Sequence, residues 1–316
     1  MNLQGNPLVD RVRSWLQNEP ALPLPGGGDT LGRWRALARM GAEDLALAKV
    51  LEAHHDAIAI LHELGKPALA APHGRDVPLH AVWAAEGPAC TLRVDERGRL
   101  DGDKPWCSGA SLVDAALVTV RGPRGTALYR VDTGQWTALS EQQWHAPGMT
   151  MIPSTTVHFS RVTAEPVGGP DAYLDRPGFW HGGAGVAAVW YGAAVALAER
   201  MRPWCADGLR ARLLGEVDLI LPPAAALLRE LAGAIDAAPD NSFQEDVIRV
   251  RSVVERAASR VLDLAGRALG PAPMCLEPDH ARRWADLAVF IRQSHADKDW
   301  AWLGAARSRQ EAPWTL

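Results

Sequence analysis

The sequence predicts a multidomain α+β protein with N-terminal α-helices, a middle β domain and a C-terminal helical bundle, divided at about 1–76, 77–168 and 169–316. Three observations carry that expectation. Apolar residues recur at three- and four-residue steps before residue 65 and again after residue 185, the period of an amphipathic helix. Between about 77 and 165, Pro, Gly and short alternating runs take over, as strands and turns require. The order of helices, strands and helices excludes an alternating βαβ enzyme with its nucleotide-binding sheet. At 316 residues the chain has room for two or three domains of ~100–200 residues.

The elements follow in order. Val9, Val12, Trp15 and Leu16 fall on one helical face. Gly26-Gly27-Gly28 reads as a linker, because no Lys-Ser/Thr follows to complete a phosphate loop. Asp29 or Thr30 can cap a helix over 31–40. The strongest helix spans 42–64, with Leu47, Val50, Leu51, Ile58, Leu61 and Leu64 in step, and Gly65 ends it. His54 and His55 inside it read as structural, since no second cluster stands at metal-ligand spacing. Strands are expected at 79–84, 90–94, 115–120, 127–131 and 157–162, with turns at Arg97-Gly98, Gly102-Asp103 and Pro123-Arg124-Gly125. Helices are expected at 185–201, 209–221, 224–235, 243–269 and, beyond Gly270-Pro271-Ala272-Pro273, at 280–293. Long helices on short connections point to an antiparallel bundle.

Composition narrows the function. A net charge of −4 gives no basic excess for nucleic acid. No apolar run reaches the ~18 residues of a membrane span, and Met1-Asn2-Leu3-Gln4-Gly5-Asn6 lacks the regions of a signal peptide. Cys90, Cys107, Cys205 and Cys275 are widely spaced, which fits reduced thiols in a cytoplasmic protein. The 13 tryptophans, beside 3 tyrosines and 4 phenylalanines, read first as packing residues.

Self-sufficient catalytic motifs are missing. Gly182-Gly183-Ala184-Gly185 has no strand before it, so it is no dinucleotide loop. Ser108 has Trp106 two residues earlier, where a hydrolase nucleophile elbow needs Gly. Cys107 lacks a His at a thiol-protease spacing. A bound cofactor is the remaining carrier of chemistry.

Three stretches then stand out: Val82-Trp83-Ala84-Ala85-Glu86-Gly87-Pro88; Gly102-Asp103-Lys104-Pro105-Trp106-Cys107-Ser108-Gly109; and Arg282-Arg283-Trp284-Ala285-Asp286 followed by Phe290-Ile291-Arg292. On these, and on its layout from about residue 42 onward, the sequence resembles the acyl-CoA dehydrogenase family of flavoproteins. The resemblance implies N-terminal α-helices, an antiparallel β barrel or sandwich, a C-terminal four-helix bundle, and FAD as cofactor. It places the backbone of Ala84, Ala85 and Glu86 against the flavin, Trp106 on the isoalloxazine and the Ser108 hydroxyl near N5. Trp180 and His181 would border the substrate cavity at the start of the first bundle helix. The implied reaction is α,β-dehydrogenation of an acyl thioester, acyl-CoA or carrier-bound, with hydride passing to N5 and on to an electron acceptor. A homodimer or homotetramer in fatty acid metabolism is implied as well.

The residues support a flavin on their own terms. A flat apolar ring needs a large ring to pack on and a short donor at its reactive edge. Trp106 and Ser108, two apart on a strand, share a face. Gly109 and Ala110 would leave room beside them. The other reading makes Trp106 a sandwich-core aromatic.

Two departures from the family pattern bear on function. Pro88-Ala89-Cys90-Thr91 replaces a Gly-Ser-Asp that helps hold cofactor and CoA. Ser294, beside His295, falls where the family's catalytic Glu stands, and Asp297 is the nearest downstream carboxylate. His295 is then the candidate base, or a surface residue, with His181 the second candidate. Arg200 is a candidate phosphate contact, or a solvated helix-end cation. A same-fold flavin monooxygenase or a catalytically silent flavin-binding scaffold is the alternative function.

Overall fold

A computed structural model of the chain describes residues 6–70, 77–135, 138–139, 144–206 and 208–314. It divides into two compact units, Met1–Leu24 with Ala46–Phe179, and Pro25–Leu45 with Trp180–Leu316. The N-terminal helices therefore do not form a body of their own: the second of them groups with the C-terminal helices.

The first unit holds α1 (Pro7–Asn18), α3 (Leu45–Glu63, from Ala46 on), the strands and the short α4 (Ala172–Asp175). Asn6 caps α1 through a bond from the Leu8 N–H, and Val9, Val12 and Leu16 are buried as their spacing requires. Helix α3 starts later than its apolar pattern, because Asp44 takes an extended φ of −162° and separates it from the helix before. Gly65, at φ +70°, ends it in the left-handed region.

The strands are β1 (His80–Trp83), β2 (Arg93–Val94), β3 (Arg99–Ser108), β4 (Ala115–Gly122), β5 (Gly125–Asp132), β6 (Ala138–Leu139), β7 (Ser154–Thr163) and β8 (Glu165–Pro166). They make two four-stranded sheets, in the orders β1-β4-β5-β8 and β2-β3-β7-β6. Pairing is antiparallel except between β1 and β4, which run parallel with His80 opposite Ala115. The first sheet packs on α3, with Ala57, Ile60 and Leu61 against Leu117, Leu128, Val167 and Tyr173. His54 and His55 are buried there, and the His80 N–H donates to His54 Nδ1 at 3.2 Å, so both serve packing as expected.

One expected turn is a strand. Gly102-Asp103 lies inside β3 rather than at its start. Gly102 has φ +113°, and a Cβ there would meet the Thr91 carbonyl, so glycine admits an irregular step without ending the strand. The expected strand over 90–94 shrinks to Arg93–Val94.

The second unit holds α2 (Thr30–Glu43), α5 (Pro177–Met201, from Trp180 on), α6 (Gly208–Ala237), α7 (Gln244–Leu269), α8 (Pro271–Leu276), α9 (Pro278–Phe290) and α10 (Asp297–Ser308). Asp29 caps α2 through the Gly32 N–H, while Thr30 is buried and donates to Asp236 on α6 at 2.6 Å. Helices α2 and α5 cross at close range. A Cβ on Gly41 would strike the Val189 carbonyl, and one on Gly192 the Ala38 carbonyl, so each helix supplies a glycine to the crossing. Trp190 of α5 meets Phe290 of α9 edge to face, with centroids 6.3 Å apart.

Two expected helices, 209–221 and 224–235, are one. Helix α6 runs through Pro222-Pro223, which remove two backbone donors. Its buried residues Val217, Leu221, Ala224 and Leu228 keep step across the prolines, so packing overrides the break. Helix α7 buries Val247, Val250, Val254, Ala258, Val261 and Leu262, as the periodicity requires. Helix α5 begins earlier than expected, placing Trp180 and His181 inside a helix. By length and composition α5 could cross a membrane, yet 67% of its apolar window is buried inside the protein, as for a core helix.

Candidate functional site

Two of the three distinctive stretches meet in the first unit. After β1 the chain leaves the sheet: Ala84 is half-buried against the core and Ala85 is exposed. Glu86 is held from β3. Lys104, fully buried, donates from Nζ to Glu86 Oε1 at 2.8 Å and to the Thr119 carbonyl and hydroxyl at 2.9 Å each. The Thr119 hydroxyl also donates to Glu86 Oε1 at 3.0 Å. All three ammonium protons thus have acceptors, which is what makes a buried lysine tolerable. Burial raises the Glu86 carboxyl, but the Lys104 bond and charge outweigh it and the net pKa is lowered.

A second tie joins the same segments. The buried Trp83 indole N–H donates to the Ser108 carbonyl at 3.1 Å. Sequence reasoning assigned no contact to Lys104, Thr119 or Trp83.

Trp106 sits at an irregularity. Lys104 pairs with Val157 and Cys107 with Thr155, so Pro105 and Trp106 face Thr156 alone, a β-bulge. Trp106 has φ +62°, a region that costs a bulky residue roughly 1–2 kcal/mol. Its side chain is 60% exposed. It is not a core aromatic. Cys107, by contrast, is buried, and burial raises its thiol pKa, as expected for a residue facing the other way.

Ser108 is half-buried, and its Oγ lies 2.6 Å from Ser154 Oγ on β7. Gly109 has φ +69°, so its glycine is required by the backbone, and Ala110 is buried. A Cβ on Gly109 would also come within 3.4 Å of the Ile152 side chain. A cleft of about 500 Å3, lined by Glu86, Gly87, Cys90, Thr91, Leu92 and Arg121, opens beside the Glu86 segment.

The second unit carries the other candidates and does not gather them. His181 is buried and its Nε2 lies 2.8 Å from the Asn241 carbonyl, so Nε2 carries the proton and donates it there. Trp180, next to it on α5, is half-buried. Arg200 is engaged by Glu277 at 2.6 Å, with both side chains largely in water, so its charge already has a partner. His295 is 76% exposed, between α9 and α10, with Asp299 Oδ1 3.6 Å from Nδ1. Arg292, from the third stretch, pairs with the buried Glu255 at 2.6 Å.

No family model matches the chain, and no curated protein does. Solved structures do match, and they define the class: the chain has the acyl-CoA dehydrogenase fold. Among them is glutaryl-CoA dehydrogenase from Mycobacterium smegmatis in complex with FADH2, with TM-score 0.76 and 15% identity, covering 98% of this chain and 92% of that one. Butyryl-CoA dehydrogenase from Megasphaera elsdenii matches with TM-score 0.73 and 17% identity, over 90% and 83% of the two chains. TdsC from Paenibacillus sp. A11-2, described as a dibenzothiophene monooxygenase and also solved with FMN and indole, matches with TM-score 0.75 and 17% identity in that complex, over 91% and 85%.

Proposed function

We propose that the protein is a flavin-dependent oxidoreductase that binds FAD against the β3 bulge. One observation carries the reading: a tryptophan held in left-handed backbone with its indole 60% exposed, two residues from a hydroxyl. Strain and exposure of a large apolar ring are both unfavourable in the free protein, and such features recur where a ligand is clamped. Neighbours of the same fold are described with FAD, FADH2 or FMN, which supports a flavin here. A bound flavin supplies a two-electron acceptor at its N5. Trp106 would stack on its ring, Ser108 would hydrogen-bond at its reactive edge, and the backbone at Ala84, Ala85 and Glu86 would line it, held by Lys104.

Dehydrogenation of an acyl thioester is the reaction the family resemblance favours. It needs a base at the substrate's α carbon. His295 is accessible for that role; the His181 Nε2 already donates to a carbonyl. The serine at position 294, where the family resemblance expects a glutamate, favours a second reading, flavin monooxygenation, in which oxygen replaces the thioester as the flavin's reaction partner. Exposed Leu209, Leu219 and Leu276 on the second unit are apolar surface that a homodimer or homotetramer would cover.

Reconstitution with FAD, followed by anaerobic addition of acyl-CoAs, tests these readings. Flavin absorption that bleaches supports the dehydrogenase. Bound flavin that stays oxidised with acyl-CoAs, but oxidises a reductant in air with oxygen inserted into an aromatic or sulfur substrate, supports the monooxygenase. A protein that takes up no flavin refutes both.

A further inference from the structure

We propose that Ser154 is a positioning residue that sets the direction of the Ser108 hydroxyl, so that the pair reverses its polarity with the oxidation state of a bound flavin. The inference rests on the flavin reading above and adds to it a residue that the family resemblance does not supply.

Ser108 and Ser154 are register partners on β3 and β7, and their Oγ atoms are 2.6 Å apart. Either can be the donor. The Ser108 backbone is fixed on both sides, by Trp83 Nε1 on its carbonyl at 3.1 Å and by the Gly109 N–H on the Pro153 carbonyl at 3.4 Å. With the backbone held, rotating the two O–H bonds is enough to exchange donor and acceptor.

Each hydroxyl has one proton and two lone pairs. When Ser154 donates to Ser108, the Ser108 proton is directed away from Ser154. When Ser108 donates to Ser154, Ser108 offers a lone pair instead. A flavin's N5 accepts a hydrogen bond when oxidised and donates one when reduced. The serine pair meets both demands by rotating two O–H bonds, with no proton leaving its oxygen. A lone Ser108 meets the oxidised state equally well. In the reduced state, however, its proton is left without an acceptor in a half-buried position, the costlier of the two deficits. Losing the Ser154 hydroxyl therefore disfavours the reduced state, and the reduction potential falls.

The test compares Ser154→Val with Ser154→Thr in the FAD-loaded protein. The two side chains match in shape and differ by the hydroxyl, so packing effects cancel between them. The expected result is a reduction equilibrium about tenfold less favourable in Ser154→Val, about 30 mV lower for a two-electron couple, with Ser154→Thr close to the parent. Equal potentials in the two variants overturn the proposal, whether or not both differ from the parent. A parent protein that binds no flavin overturns the flavin reading itself, and this inference with it. Far-UV circular dichroism and thermal melting of both variants, read alongside, confirm that the compared proteins are folded.

Discussion

Lys104→Met removes the cation that ties β3 to Glu86 in the segment after β1 while keeping an unbranched side chain of similar length. Removing one partner of a fully buried ion pair costs about 3–5 kcal/mol, mostly because the other charge is stranded. Glu86 is not fully buried: its side chain is 31% exposed, so water screens part of that cost. The Thr119 hydroxyl still reaches Glu86 Oε1 at 3.0 Å. The Thr119 carbonyl and hydroxyl each lose a donor that stood at 2.9 Å. Together these set the expected loss at about 2–3 kcal/mol, or about 4–12 °C in the melting temperature of a unit this size. Urea unfolding followed by circular dichroism reads it, with the slope unchanged. A second signature follows from charge. The Glu86 pKa lies below 4.5 in the folded parent, so Glu86 contributes stability that is present above pH 4.5 and lost as pH falls through the folded value. Without Lys104, burial opposes only the remaining hydrogen bonds from Thr119 and Cys90, and that contribution shrinks. A loss below about 1 kcal/mol, the range of an exposed pair, would refute the clamp.

Other perturbations have defined outcomes. Trp106→Ala should leave the urea midpoint almost unchanged, since the indole is 60% exposed, and weaken FAD binding by about tenfold or more in a fluorescence titration. Unchanged affinity would remove Trp106 from the site. Gly192→Ala should destabilise the second unit by about 3 kcal/mol or more, because its Cβ meets the Ala38 backbone carbonyl, which cannot yield as a side-chain tip can; a native melting curve would contradict the helix crossing. Burial, then the charge of Arg130, lowers the His80 pKa below 6.5, against opposing effects of Pro78, Asp114 and Asp132. The unfolded chain therefore binds the proton first, so stability is full above pH 6.5 and declines as pH falls below it. His80→Gln should flatten that decline in a pH series of melts, and an unaltered slope would exclude His80 as its source.

Much of the fold was legible because helices announce themselves by burial. Helix α7 buries the residues that its periodicity marks, and Gly65 ends α3 where a left-handed residue is needed. Reading failed where one local rule was overridden from a distance. Pro222-Pro223 reads as a break, yet packing on both sides carries α6 through. Helix α10 was invisible because Ala306 is its one buried residue, leaving no apolar period to detect. Gly102-Asp103 resembles a turn because a glycine at positive φ serves a strand irregularity and a turn equally well. The site divided in the same way. Residue type and order pointed to Trp106 and Ser108; Trp106 is exposed, while Ser108 is half-buried against Ser154. The contacts of Lys104 with Glu86, of Trp83 with Ser108 and of Ser154 with Ser108 join segments far apart in the chain, which sequence spacing does not encode. His295 and Arg200 were chosen for charge and position along the chain, and their exposure and partners depend on packing that neither quantity reveals.

The most direct measurement is titration of flavin-free protein with FAD, followed through flavin absorbance and tryptophan fluorescence in the parent and in Trp106→Ala. Saturable binding with strong quenching in the parent, weakened affinity and reduced quenching in the variant, and the same urea midpoint for both are the predicted results. Absence of saturable binding in the parent, or identical curves for the two proteins, would contradict a flavin site at the β3 bulge.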